Sequence, residues 1–435
     1  MLYQDVYNPP IPEDRYGFYI SGIYGNYTMQ WRDLAISAEV SRFDANGHRL
    51  SAEVRINSSR PLSPDDGHIV LDRLELTSAS ATKTLAGILT MEDPSINWQH
   101  LLEQLRVTAL SEYRSGSRDI LISGDVDVEA QTRWLIHPLV EYKHPSVLYG
   151  AGGTGKSWIG LWLSVLVDAG LSHAGLNIEP ANVLYLDWET RAEEIASRVT
   201  MIRRGLNLEG DSGIIYKEMR QSLMADVEAI RDVIRRRDTE LVIIDSVISA
   251  CAGEPTSEKA VDDMFQVLRS LDVSSLLIDH VNKSGELFGS EYKKNEGRQV
   301  FEAIKNQREG DDQIIMGLFH KKANNSKIIP PLGFTLNFHN DNGRTSVTIE
   351  RQDVRQTPLS SHLSIGTQIE LLIRKEGALT IDTITTRLKK FTEKDIRGEL
   401  EGSKYHSVTH PSGRFVETGN GKWGVAYIEP DPQFP

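Results

Sequence analysis

Five short apolar runs mark the middle of the chain: SVLYG from Ser146, NVLYLD from Asn182, GIIYK from Gly213, ELVIID from Glu240 and SLLIDH from Ser275. Apolar runs without alternation are what strands buried on both faces of a parallel sheet look like. Between them the spacing turns helical, with starts near Lys156, Arg191, Asp226 and Ser257. Strands alternating with helices predict an α/β domain over residues 134–351. Up to about residue 130 the pattern is different. DLAISAEVSRF and HRLSAEVRIN alternate apolar and polar residues around an Asn46-Gly47 turn, and HIVLDRLELTS reads as a further strand. INWQHLLEQLRVTALSEYR then has helical spacing, which RSGSRD breaks. A β-rich N-terminal domain over 1–130 is expected. After the α/β region, DVRQTPLSSHLS around Pro358 predicts a polar linker over 352–364. Three short helices and a β-hairpin turning at Asn420-Gly421 fill 365–430, the third helix opening on a capping box of Thr392 and Asp395.

A chain of 435 residues agrees with several domains. Its one cysteine, Cys251, excludes an internal disulfide and a cysteine-rich zinc site. The N-terminus lacks the basic start and apolar core of a signal peptide, and no stretch reaches about 18 apolar residues. A soluble, cytoplasmic protein with no membrane partner is expected. Net charge is −13, which argues against a non-specific nucleic-acid coat but leaves room for contact through a few loops.

The strongest chemical signal is Gly150-Ala151-Gly152-Gly153-Thr154-Gly155-Lys156-Ser157, a full G-x-x-x-x-G-K-[ST] between a strand and a helix. Glycines let backbone N–H groups wrap phosphates, and the helix start adds partial positive charge. Lys156 neutralises the β/γ oxygens and the Ser157 hydroxyl ligates Mg²⁺. LVIID ends in Asp245, placed to hold Mg²⁺ through water, but Ser246 follows where many such machines carry a catalytic Glu. A carboxylate appears instead after NVLYLD, where Asp187 and Glu189 stand at the end of the strand. Glu189 is the candidate base for the attacking water, its alternative being to cap the helix near Arg191. His280 ends another strand, where it either senses the γ-phosphate or serves structure. NKSG at Asn282 has Gly where a guanine signature needs Asp, which favours ATP over GTP.

These residues resemble the RecA-like ATPases of the RepA and DnaB-type hexameric helicase group, nearest the plasmid RepA-type branch. The resemblance covers about Trp134 to Phe338 and rests on the phosphate loop, LYLDWET, LVIIDS, IDHVNKSG, FGSEYKKNEGR and HKKANNS. It implies a RecA-like fold, with Glu189 as catalytic base and His280 at the γ-phosphate. It also implies a trans-acting arginine finger at Arg298, counted from Gly289-Ser290, and a second cation at Lys322. In such rings the segment between His280 and Arg298 faces the channel, so Lys283, Lys293 and Lys294 are candidate DNA contacts; a mobile lid is the alternative.

The C-terminal module resembles a winged helix, which docks either DNA or protein. Together these imply an ATP- and Mg²⁺-dependent homo-oligomer, a hexamer by resemblance, acting on single-stranded DNA beside replication or recombination proteins. A replicative-helicase-like motor is the first reading. A RadA-like recombination mediator and a regulatory ATPase without a DNA substrate are the rivals.

Overall fold

The computed structural model describes residues 16–23, 26–58, 68–115, 132–253, 257–281, 291–404 and 413–426. The chain divides into two compact units, 1–131 and 132–435.

In the first unit β1 (Phe18–Ile23), β2 (Asn26–Trp31), β3 (Ile36–Asn46), β4 (Arg49–Ser58) and β5 (His68–Glu75) pair antiparallel in sequence order. Alternation does the sorting. In β4 Leu50, Ala52, Val54 and Ile56 are buried, while the residues between them stay half exposed. Helices α1 (Ala79–Glu92) and α2 (Trp98–Ser115) close this core with Leu85, Leu89, Leu101 and Leu105 around Trp31 and Trp98. Strands β3, β4 and β5 and the second helix match the sequence pattern, whereas β1 and β2 were not anticipated. The first helix lies in a stretch with only a few spaced apolar residues, and Ser78 opens it by accepting from Ala81 N–H.

The second unit opens with β6 (Trp134–His137), β7 (Val140–Glu141), β8 (Pro145–Gly150), α3 (Lys156–Ala169), β9 (Asn177–Ile178) and β10 (Asn182–Asp187). It continues through α4 (Ala192–Gly205), β11 (Ile215–Glu218), α5 (Val227–Arg237), β12 (Thr239–Asp245), α6 (Val247–Ala250), α7 (Glu258–Ser270) and β13 (Ser274–His280). Then come α8 (Glu291–Glu296), β14 (Gln299–Asn306), β15 (Gln313–Ala323), β16 (Leu332–Asp341) and β17 (Arg344–Gln352). Nine strands form one sheet in the order β11-β10-β12-β13-β8-β14-β15-β16-β17. Pairing is parallel from β11 to β14 and antiparallel from β14 to β17. The apolar runs predicted the parallel part. The antiparallel meander was not anticipated, because its strands mix more polar residues into the pattern.

Helices cover both faces. On one, Ile159, Trp162 and Leu166 of α3 pack with Tyr185, Ile243, Phe301 and Phe334. On the other, Ile230 of α5 and Phe265 of α7 pack with Leu184, Val242 and Leu277. Each such fully buried side chain contributes about 1.5–3 kcal/mol. This two-sided cover explains why the central strands carry apolar residues on both faces.

Residues 352–364 are not a free polar linker. Two 3₁₀ turns, Val354–Gln356 and Pro358–His362, bury Val354, Leu359 and Leu363 against Phe319 of β15. Three apolar residues spaced among serines were enough to fasten the segment to the sheet. Beyond it, α9 (Ile365–Glu376), β18 (Leu379–Thr380), α10 (Ile381–Arg387), α11 (Glu393–Gly402), β19 (Phe415–Gly419) and β20 (Lys422–Val425) share a small core of Ile369, Ile384, Ile396, Phe415 and Trp423. The strand order is β18-β20-β19. The Thr392–Asp395 capping box forms in full, with both reciprocal bonds present. No described helix is long and apolar enough to cross a membrane.

Candidate active site

Parallel strands bring their C-terminal ends to one edge, and the phosphate loop lies there. Strand β13 separates β8 from β12, and register sets Asp187 opposite Asp245 and His280 opposite Gly150. Residues far apart in sequence thus meet around the loop.

The loop's glycines answer to specific neighbours. Gly150 lies so close to the Ala303 carbonyl of β14 that a Cβ would collide with it. Gly155 has φ 97° and stands where a Cβ would come 2.8 Å from the Met316 methyl of β15. Ala151, Gly152 and Gly153 are exposed to solvent, whereas Thr154 is buried and its hydroxyl donates to the Ala151 carbonyl. Lys156 is buried and folded back on the loop, donating to the carbonyls of Gly150 and Ala151 at 2.9 Å each. Burial lowers its pKa, opposed by the charges of Asp245, Asp279 and Glu189. An ammonium held in this way is positioned so that it could exchange carbonyl partners for phosphate oxygens.

Asp245 is buried at the tip of β12. Burial raises its pKa, countered by hydrogen bonds from Ser157 and Tyr185. The Tyr185 bond is 2.8 Å long. These donors fit Mg²⁺: a hydroxyl and a carboxylate, both hard oxygens, already lie together beside the phosphate loop. Among the described residues no cluster of three or more His, Cys, Asp or Glu could hold a metal. A cation here would therefore be shared with the nucleotide's phosphates.

Glu189 does not cap the helix behind it. The helix N-cap is Arg191, with no side-chain cap bond, and the turn before it is held by Asp187, whose Oδ1 accepts from the N–H groups of Glu189 and Thr190 at 2.8 and 3.1 Å. Glu189 is left to turn toward β12, where the Ser246 hydroxyl donates to Oε1 at 2.7 Å, and His280 Nε2 stands 3.8 Å away. The His280 ring does most to hold the Glu189 carboxyl down at about 2, with Ser246 and Lys156 adding to it against burial. A carboxylate with so low a pKa is a weak proton acceptor, so orienting a water suits it better than deprotonating one. Ser246 and Tyr185 escaped the sequence reading. The only signal for Ser246 was its place directly after Asp245.

Arg298 lies elsewhere. It is not on a helix but immediately before β14, and its N–H donates to the Pro145 carbonyl at 2.8 Å. Pro145 starts the strand that Gly150 ends, so Arg298 sits at the opposite edge of the sheet, roughly 16 Å from its own phosphate loop at about 3.3 Å per residue. Lys322 is close to it: burial lowers the Lys322 pKa and the Arg298 charge lowers it further. Lys322 is not a free second cation in this chain. Its ammonium caps α8, donating to the carbonyls of Lys294, Asn295 and Gly297 at 2.8, 2.6 and 3.0 Å. Three donors are all an ammonium has.

Lys293 is corrected as a DNA contact. Its side chain is 1% exposed and pairs with buried Asp279 at 2.8 Å, so no phosphate can reach it without breaking a buried ion pair. Lys294 is half-buried. Lys283 and the Gly289-Ser290 pair lie outside the described residues.

The family described as AAA domain matches residues 112–286. Among solved structures, the chain is similar to a KaiC-like protein from the hyperthermophilic archaeon Pyrococcus horikoshii. The identity is 13%, the TM-score 0.35, and the match covers 49% of this chain and 93% of that one. No curated protein matches. The phosphate loop, the strand order and the AAA-domain match agree on a RecA-like P-loop ATPase fold and an NTP-hydrolysing enzyme.

Proposed function

We propose that this protein is a Mg²⁺-dependent ATPase working as a homo-oligomeric ring, a hexamer in the manner of replicative helicases, on single-stranded DNA. In this reading Lys156 and the loop amides hold the triphosphate, and Ser157 and Asp245 carry the cation. Glu189 orients the attacking water and His280 reports the γ-phosphate. The observation that carries the reading is Arg298, at the sheet edge away from its own phosphate loop. A guanidinium there is remote from its own nucleotide, which supports a role at a neighbour's, where it would neutralise charge developing on the γ-phosphate. Lys283 and Lys294 are the DNA contacts of this proposal. Mass measurement of the assembly with ATP, beside ATPase assays with and without single-stranded DNA, tests it. Duplex unwinding would separate a helicase from a recombination mediator.

One observation favours a second reading, a regulatory ATPase whose flanking domains bind proteins. Helix α11 carries Glu393, Asp395, Glu399 and Glu401 against only Lys394 and Arg397. Arg397 is paired with Glu393, and Lys404 with Glu417. An acidic helix with paired cations suits a protein partner better than a major groove, so the winged-helix-like module is assigned here to protein docking.

A further inference from the structure

Strand β14 runs past the phosphate loop as well as beside it. Its residue Ala303 pairs with Gly150, the last residue of β8, so Ile304, Lys305 and Asn306 extend beyond the strand end at the catalytic edge. Side chains two apart on a strand share a face. Phe301 and Ala303 are buried in the core that α3 covers, so Lys305 is turned to the side from which the phosphate-loop helix rises. Its ammonium confirms this placement: a Cβ built on Gly153 would stand 3.9 Å from Lys305 Nζ. Gly153 is exposed and Lys305 is exposed, so the gap between them opens to solvent. The ammonium donates at 3.3 Å to Gln307 Oε1, a neutral partner. No ion pair of Lys305 is found among the described residues. Lys156, by contrast, approaches the loop from inside, through the carbonyls of Gly150 and Ala151.

From this geometry we infer that Lys305 is a second cation for the nucleotide, acting on the phosphates bound by its own subunit's loop. It rests on the ATPase reading above and adds to it a contact from outside the loop, supplied by β14. The two cations flank the loop, one from the helix and one from the strand wall. Backbone N–H groups of such a loop cradle the α- and β-phosphates. A cation at Gly153 therefore meets charge that ADP and ATP share, and its effect falls on both nucleotides. This distinguishes Lys305 from Arg298, whose proposed target is the γ-phosphate of a neighbour. Lys305 is exposed, so its contribution is screened by salt.

The test is equilibrium binding of methylanthraniloyl-labelled ADP and ATP to the full chain, for wild type, Lys305→Met and Lys305→Arg, with and without Mg²⁺. The expected result is roughly 5- to 20-fold weaker binding of both nucleotides by Lys305→Met, the scale of one charge-assisted hydrogen bond partly open to water. Lys305→Arg should stay near wild type, and the difference should shrink as salt rises. The nucleotide-free melting temperature of Lys305→Met should not move, because the side chain is not part of the core. If wild type binds neither nucleotide, the ATPase reading fails and takes the inference with it. If wild type binds and Lys305→Met binds equally well, the ATPase reading stands and the Lys305 inference is overturned. Equal losses in Met and Arg variants would also overturn it, since charge would then not be what matters.

Discussion

Ser246 donates a 2.7 Å hydrogen bond to Glu189 Oε1, tying the residue after the Asp245 strand tip to the carboxylate that follows the neighbouring strand. The bond fixes Glu189 on the nucleotide side of the sheet instead of at the helix start. Glu189→Gln keeps the size and can still accept from Ser246, so ATP binding should persist. Turnover should fall at least about 10²-fold, the scale of a lost catalytic base or water-orienting group. Lys156→Ala should lose both binding and turnover. Normal hydrolysis by Glu189→Gln in steady-state assays would remove Glu189 from the chemistry.

Acid sensitivity follows from the same carboxylate. The Glu189 carboxyl is held at about 2 by His280 first, then Ser246, against an ordinary 4.5. A group whose folded pKa is depressed stabilises the fold above its unfolded pKa and loses that contribution as pH falls through the folded value. The denaturant midpoint of wild type minus that of Glu189→Gln should therefore be flat above about pH 5 and shrink between about 4.5 and 2. His280→Ala should move that loss upward in pH. A difference independent of pH would mean that His280 does not hold Glu189.

Tyr185 is fully buried and its hydroxyl is the donor to Asp245 Oδ2. Tyr185→Phe removes that donor without opening a cavity. Mg²⁺ affinity in the presence of ADP should weaken by about tenfold, as when a hydrogen-bonding partner behind a metal ligand is lost. Stability should drop by about 1–3 kcal/mol from the unsatisfied acceptor. Calorimetric titration of Mg²⁺ into the ADP complex reads the first and chemical denaturation the second.

Much of this was visible in the sequence, for a physical reason. Strands buried on both faces must be largely apolar, and a loop that wraps phosphates must be glycine-rich, so β8, β10, β12, β13 and residues 150–157 announce themselves. Glu189 is a candidate from the sequence because it stands two residues past an apolar run that ends in Asp187. What was not legible depends on contacts between distant residues. Lys293 looks like any exposed lysine until Asp279, a strand residue, is brought beneath it. Lys322 likewise takes its role from the end of α8, a neighbour that no spacing reveals. The segment 352–364 looked polar because its three anchoring residues are diluted by serines.

The Lys293 correction can be tested against Lys294. Lys293→Ala leaves Asp279 charged and buried, which should cost about 3–5 kcal/mol of stability. Lys294→Ala should leave stability nearly unchanged and lower the salt dependence of DNA binding. Equal, small stability effects for both variants would contradict the buried pair.

Arg298→Ala should abolish ATPase activity on its own. Mixed with Glu189→Gln subunits it should regain part of it, because interfaces with Arg298 on one side and Glu189 on the other are complete. Rates in mixtures of verified stoichiometry decide this, and no recovery would contradict a finger acting between subunits.

The function proposed here is that of an ATPase motor acting on single-stranded DNA. Its most direct test is the steady-state ATPase rate of the full chain as single-stranded DNA is titrated in at low salt with ATP and Mg²⁺. A severalfold rise is expected that saturates, disappears in Lys156→Ala and weakens as salt increases. A measurable basal rate that stays flat at every DNA concentration would contradict it.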